Sequence, residues 1–227
     1  GTGSLLIWAA NRAPYTLSIY GQEKSNSAAA LARMNLWIHN KKDYEIAGGK
    51  STLAFPQFKN EKNPKSLKLF DFIVAHPPFV DKSWNDGLEM PDPYDRYDED
   101  LLETSPEKKS NYAWILHILK SMSSNGKAAI LLPSSTFFAE NKDMLIYREL
   151  IDHNCIKAII KLPIGLFSVS ESAACILVLD KEKIEHKGIF IIDASRDYTI
   201  VDGKKHLRKR DIHKIISTFL ASDTSNP

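Results

Sequence analysis

The sequence predicts an α/β fold: a doubly wound, mostly parallel sheet with an antiparallel strand pair near one edge. Three observations predict it. Short apolar runs alternate with helix-forming stretches along most of the chain, the pattern of strands joined by crossover helices. Several runs end at Gly, Pro or acidic residues, where open α/β sheets place their ligands. Segments 155–162 and 172–179 are separated by only nine residues, too few for a helical crossover, so they pair antiparallel.

The elements follow in order. Gly1-Thr2-Gly3 precedes a helix over Ser4–Arg12, and Thr16–Gly21 (TLSIYG) reads as a strand. Ser27–His39 is helical, with a face of Leu31, Met34, Leu36 and Ile38. Tyr44–Ala47 is a short strand, and Phe70–Ala75 (FDFIVA) is an apolar run that predicts a strand buried on both faces. Residues 56–69 and 80–109, rich in Pro, Lys and Asp, read as loops. The second is long for a structureless connection, and such loops often bind or cover ligands. Tyr112–Met122 is helical, Asn125-Gly126 turns, and Lys127–Leu132 is a strand. A helix over Lys142–His153, strands at Cys155–Leu162, Ser172–Leu179 and Gly188–Asp193, and an amphipathic helix at Asp211–Leu220 complete the set.

Composition narrows the class. A chain of 227 residues with 43% hydrophobic and 10% aromatic content and a net charge of +2 excludes disorder and buries roughly 70% of its unfolded surface. The longest apolar run, Ala173–Leu179, falls far short of the roughly 20 residues a bilayer demands. No signal peptide opens the chain, and the expectation is a soluble, cytoplasmic protein with no membrane partner. Cys155 and Cys175 sit apart in apolar segments without metal-ligand spacing, which points to buried thiols and no metal site. Ten acids occupy residues 81–107 against Lys82 and Arg96, whereas 204–210 (KKHLRKR) is almost purely basic. A charge run by itself is usually a solvated face.

Three places carry candidate chemistry. Gly1, Thr2 and Gly3 stand before a helix, where glycine lets the backbone approach a ligand and aims free N–H groups at it; an ordinary helix start fits equally. Glu23 follows TLSIYG, where a carboxylate can accept both hydroxyls of a ribose or simply favour a helix dipole. His76-Pro77-Pro78-Phe79 follows FDFIVA. Consecutive prolines ending a strand stiffen the backbone and leave carbonyls outside any ladder, and the following aromatic can stack on a planar ring.

In this order these residues resemble the adenine-specific DNA methyltransferases of type I restriction-modification systems, namely the modification (M) subunit. Gly1 to Ile7 is similar to the tail of the family's glycine-rich cofactor motif, whose preceding Asp-Pro and strand are absent. Tyr20-Gly21-Gln22-Glu23 matches its YGQE, Ala32 to Leu36 its helix signature, and Ala75 to Phe79 its Asn-Pro-Pro-Phe motif. Gly126 to Ala129, Leu132-Pro133, Leu162-Pro163 with Leu166-Phe167, Ile176 to Lys181 and Ile192 to Ala194 fit its later segments. The resemblance implies the class I S-adenosylmethionine-dependent methyltransferase fold with its first strand missing from this chain. It implies a catalytic domain over 1–181, starting inside the cofactor motif, and a C-terminal extension over 182–227 packed on it. S-adenosylmethionine is the implied cofactor, held by Gly1, Thr2, Gly3, Glu23 and Ser51. His76, Pro77, Pro78 and Phe79 are the implied catalytic residues acting on a flipped adenine. Double-stranded DNA, a specificity subunit and a restriction subunit are the implied partners.

Three departures qualify that picture. His76 stands where the family has Asn or Asp. Ser51 stands where the family usually places an Asp before Thr-Leu. The strand expected before Gly1 and a helical N-terminal domain are absent, so the natural protein is expected to extend upstream. A neutral imidazole offers one acceptor and a protonated one none. Losing a well-placed acceptor costs roughly 1–3 kcal/mol, about 5- to 150-fold in rate if it falls on the transition state. Two other readings remain open: a catalytically impaired homologue acting as a DNA- or partner-binding scaffold, and methylation of another planar amine such as a glutamine amide.

Overall fold

The computed structural model describes residues 1–97, 106–138, 151, 154–167, 173–182 and 188–224. They divide into two compact units: Gly1–Phe70 with Val80–Ser121, and Asp71–Phe79 with Met122–Pro227.

In the first unit, α1 (Ser4–Ala10) precedes β1 (Ile19–Glu23), α2 (Asn26–Ile38) and β2 (Tyr44–Gly48). β1 and β2 pair in parallel from Ile19↔Tyr44 to Glu23↔Gly48, with α2 as the crossover, the βαβ unit that the alternation predicts. The Ser25 hydroxyl caps α2, accepting from the Ala28 amide at 3.3 Å. The buried face of α2 differs from the expected one. Ala29, Ala32 and Leu36 are buried with Ile7, Ile19 and Ile46, whereas Leu31, Met34 and Ile38 are 51%, 57% and 69% exposed. The reason is steric: small alanines let the helix lie close over the strand pair, so the larger side chains turn outward. α3 (Pro106–Ser121) begins six residues before the helix expected at Tyr112, because a Pro and charged residues suit a first helical turn.

The second unit is built on a five-stranded mixed sheet of order β3-β4-β6-β5-β7. Its strands are β3 (Phe70–Ala75), β4 (Met122–Pro133), β5 (Ile156–Lys161), β6 (Ala174–Asp180) and β7 (Phe190–Asp193). β6 runs antiparallel to both β4 and β5, realising the pair expected from the short connection. β7 runs parallel to β5. FDFIVA forms its strand at the expected residues but not buried on both faces: β3 is an edge strand of this sheet and Phe72 is 57% exposed. Asp71 Oδ1 accepts from Ser123 Oγ at 2.8 Å, tying β3 to β4.

The one-turn α4 (Ser135–Phe138) follows β4, and after β7 come a hairpin, β8 (Thr199–Val201) with β9 (Lys204–His206), and the closing helix α5 (Lys209–Thr224). Cys155 and Cys175 are buried free thiols, and burial pushes Cys175 up to about 12. The helix expected at Lys142–His153 lies outside the described residues except for Ile151, which is helical. Among the described residues no helix is long and apolar enough to cross a membrane.

Candidate functional site

The expected site residues fall into two groups, one in each unit. In the first, Gly1, Thr2, Gly3, Glu23 and Ser51 gather around the C-terminal ends of β1 and β2. Gly3 stands before α1 with φ +80°, and a Cβ there would meet the Ala32 backbone and side chain at 3.3 Å. The left-handed backbone and the close approach to α2 both demand glycine. Asn35 Nδ2 donates to the Thr2 carbonyl at 3.0 Å, so α2 orients the segment before α1.

Glu23 ends β1 with a half-buried carboxylate. Its Oε2 pairs with the Gly1 amine, and its Oε1 accepts from the Ser25 amide at 2.8 Å. Burial pushes the Glu23 carboxyl up, and hydrogen bonds from the backbone N–H groups of Ser25 and Lys24 push it down. Each oxygen keeps lone-pair capacity beyond these bonds. Opposite Glu23, Gly48 and Gly49 turn the chain out of β2. Gly49 has φ +86°, and a Cβ there would come within 2.6 Å of Asn26 Oδ1.

Ser51 follows in the loop after that turn, and its hydroxyl accepts from the Ala54 amide at 3.3 Å. The residue holding this loop is Gln22. Its Nε2 lies 3.3, 3.4 and 3.0 Å from the carbonyls of Lys50, Ser51 and Phe55, and its Oε1 accepts from the Gln57 amide at 3.0 Å. Gln22 was visible within the YGQE stretch but not singled out, since a side-chain amide that organises a loop some thirty positions away leaves no local signal.

In the second unit, His76-Pro77-Pro78-Phe79 leaves the end of β3. Pro77 is buried and fixes the exit, while His76 is exposed. The His76 ring lies 5.7 Å from the Phe79 ring and 5.7 Å from Phe167, tilted by 49° and 56°. Partial removal from water lowers the imidazole pKa below its ordinary value, so the ring is neutral at pH 7 with one acceptor nitrogen. Phe79 and Phe167 pack against a cluster of Ile160, Leu162, Ala174 and Ile192. Phe167 is the second residue that sequence reasoning did not assign to the site; its Leu-Phe pair was visible, its approach to His76 was not.

The long acidic loop is ordered over its described part. Asp92, Arg96 and His117 are all buried. Arg96 Nε and Nη2 donate to the two Asp92 oxygens at 3.0 and 2.7 Å, and Arg96 Nη1 lies 3.0 Å from His117 Nδ1. Burial, aided by the Arg96 charge, lowers His117 to about 3. A neutral ring therefore accepts from Arg96, and the loop after Phe79 is bound to α3 through the interior of the first unit. Among the described residues no cluster of three His, Cys, Asp or Glu side chains has the arrangement to hold a metal ion.

Comparison with known proteins shows the family. The model of the N-6 DNA methylase family matches residues 1–226. The chain belongs to that family. It is 29% identical over 225 residues to the methylase subunit of the type I restriction enzyme MpnII from Mycoplasma pneumoniae, covering 96% of this chain and 41% of that one. It is 32% identical over 213 residues to the HindI methylase subunit from Haemophilus influenzae, covering 92% and 45%. Among solved structures, the methyltransferase subunit of a type I restriction-modification system from Streptococcus thermophilus superposes with a TM-score of 0.79 at 26% identity, covering 97% of this chain and 46% of that one. The chain thus spans less than half the length of the curated relatives it matches. This N-6 DNA methylase chain shares the methyltransferase fold.

Proposed function

We propose that this chain carries the catalytic fold of a DNA adenine-N6 methyltransferase subunit of a type I restriction-modification system. The observation that supports it most is the pair of rings, Phe79 and Phe167, beside His76 at the exit of a strand sealed by Pro77. A base can reach such rings only when extruded from the duplex, as enzymes acting on a base require. In this reading residues 1–181 are the methyltransferase domain and 182–227 a C-terminal extension. Duplex DNA, a specificity subunit and a restriction subunit are its partners.

The residues of the first unit fit S-adenosylmethionine. Glu23 retains acceptor capacity for the ribose hydroxyls. The glycine backbone around Gly3, with Gly1 and Thr2, suits the methionine part, and Ser51, held in place by Gln22, suits the adenine. When bound, the cofactor supplies a sulfonium methyl as the electrophile. The chain's own task is to make the adenine amino nitrogen nucleophilic, since its lone pair is delocalised into the ring. The neutral His76 nitrogen accepts one amino N–H and the Pro77 carbonyl the other, which returns electron density to nitrogen without a strong base. Phe79 and Phe167 stack on the base and exclude water.

A second reading is a scaffold that binds cofactor or DNA without methyl transfer. Two residues favour it, His76 in the Asn/Asp position and Ser51 in the Asp position. Calorimetric titration with S-adenosylmethionine, followed by a methyl-transfer assay of the parent and His76→Asn, separates the two. Binding with transfer that rises in His76→Asn supports the enzyme; binding with no transfer in either supports the scaffold.

A further inference from the structure

Between Arg196 and Lys214 the chain carries seven Lys or Arg residues against Asp197, Asp202 and Asp211, a surplus of four in a chain of net charge +2. These charges sit on ordered backbone. β8 and β9 pair antiparallel from Thr199↔His206 to Val201↔Lys204, and α5 begins at Lys209. Two of the acids are consumed locally. Arg208 Nε and Nη2 donate to Asp211 at 2.7 and 2.9 Å, and Lys214 Nζ lies 2.9 Å from Asp197. Lys204 and Lys209 are exposed and form no ion pair among the described residues. Arg210 is exposed too, with only a loose 3.8 Å approach to Asp211.

The root of this segment matters most. β7 runs parallel to β5 with Lys161 opposite Asp193, so the chain leaves β7 at the same end of the sheet from which β5 leads to Phe167. Leu207, in the middle of the basic run, packs against the same Ile160, Leu162, Ala174 and Ile192 cluster as Phe79 and Phe167. These exposed cations are therefore fixed to the hydrophobic base that carries the two rings. An extruded nucleotide stays tied to its strand through its own phosphates, which must come close to whatever holds the base.

We propose that Lys204, Lys209 and Arg210 form a phosphate-binding surface that grips the DNA backbone flanking the extruded adenine; this rests on the methyltransferase reading above. The segment holds phosphates through charge alone, so it contributes affinity and register and reads no sequence.

The test is the salt dependence of binding to a short fluorescein-labelled duplex, followed by anisotropy. The parent is compared with K204Q/K209Q/R210Q, with the single variant K204Q, and with K41Q/K42Q/K65Q, which removes the same charge from the other unit. The slope of log affinity against log salt falls by about 2.7 in the first triple variant and about 0.9 in K204Q, one step for each phosphate that is no longer neutralised. Between about 50 and 200 mM salt the parent then loses roughly 40-fold more affinity than the triple variant. The control triple variant keeps the parent's slope, and S-adenosylmethionine titrates equally into all four. A first triple variant that keeps the parent's slope while cofactor and DNA binding persist overturns the inference, leaves the methyltransferase reading standing, and turns this surface toward an acidic protein partner. A parent that binds neither cofactor nor DNA removes the functional reading, and the inference with it.

Discussion

Replacing Arg96 with Met removes the centre of a buried polar network. Asp92, Arg96 and His117 are 8%, 5% and 9% exposed. Arg96 holds both Asp92 oxygens with its side chain and adds its backbone amide to Oδ2 at 2.6 Å. Its remaining amino group lies 3.0 Å from His117 Nδ1, and its guanidinium stacks 4.4 Å from the Tyr97 ring. The variant leaves a carboxylate and an imidazole acceptor buried without the donor that satisfied them. Breaking a buried pair from one side costs about 3–5 kcal/mol. For a chain of this size that is a fall in melting temperature of about 6–20 °C. Urea denaturation followed by tryptophan fluorescence reports it, because Trp84 is 2% exposed in the same unit and its ring lies 6.1 Å from that of Tyr97. Adding Asp92→Asn to Arg96→Met removes the orphaned charge and restores about 1 kcal/mol or more. A single variant within about 1 kcal/mol of the parent, or a double variant less stable than the single, refutes the network's role in holding the loop to α3.

Other expectations follow from the same geometry. The His117 pKa is depressed to about 3 in the folded chain, whereas the unfolded chain takes up that proton near pH 6.5. Stability from this residue is thus fully present above pH 6.5 and falls by about 1.4 kcal/mol per pH unit down to about pH 3. Denaturation at pH 6.5 and 5 should show a loss roughly 2 kcal/mol larger in the parent than in His117→Gln. Gln22→Ala frees the loop that carries Ser51, so S-adenosylmethionine affinity measured by calorimetry falls about 10-fold, a loss near 1.4 kcal/mol, while the melting temperature moves little. Gly49→Ala meets both a positive φ and Asn26 Oδ1 at 2.6 Å, and costs about 1–3 kcal/mol of stability. Cys175 is pushed up to about 12 and Cys155 is also raised, so iodoacetamide at pH 8 leaves both unmodified by mass spectrometry until the chain is unfolded.

The sequence was most legible where chemistry is local. FDFIVA becomes β3 at its expected residues, because a short run of aromatic and β-branched residues between a Lys-rich loop and Pro-Pro has no competing structure. The antiparallel β5–β6 pair follows from connection length alone. The face of α2 was not legible: with Ala29, Ala32 and Leu36 on one side and Leu31, Met34 and Ile38 on the other, apolar residues occupy both faces of the helix, and residue size rather than hydropathy decides which side approaches the strands. β4 starts at Met122, five residues earlier than expected, because Asn125-Gly126 reads as a turn by composition yet lies within the strand, with Ser123 bonded to Asp71. β8 and β9, at three residues each, are too short to show alternation. At the site, Glu23 and the His-Pro-Pro-Phe segment were legible as types at strand ends, and Ser51 only through the family resemblance. Gln22 and Phe167 matter through neighbours distant in sequence. Asp92 and Arg96 looked like part of a solvated acidic run and are instead its buried anchor.

The proposed activity is methyl transfer to the amino nitrogen of adenine in DNA through His76 to Phe79. The direct measurement is mass spectrometry of nucleosides from duplex DNA incubated with S-adenosylmethionine and either the parent chain or His76→Asn. N6-methyladenine is the expected modified base, formed by the parent and formed about 5- to 150-fold faster by His76→Asn, the span that one better-placed acceptor supplies. Methylation of a different base, or S-adenosylmethionine binding with no N6-methyladenine from either protein, contradicts it.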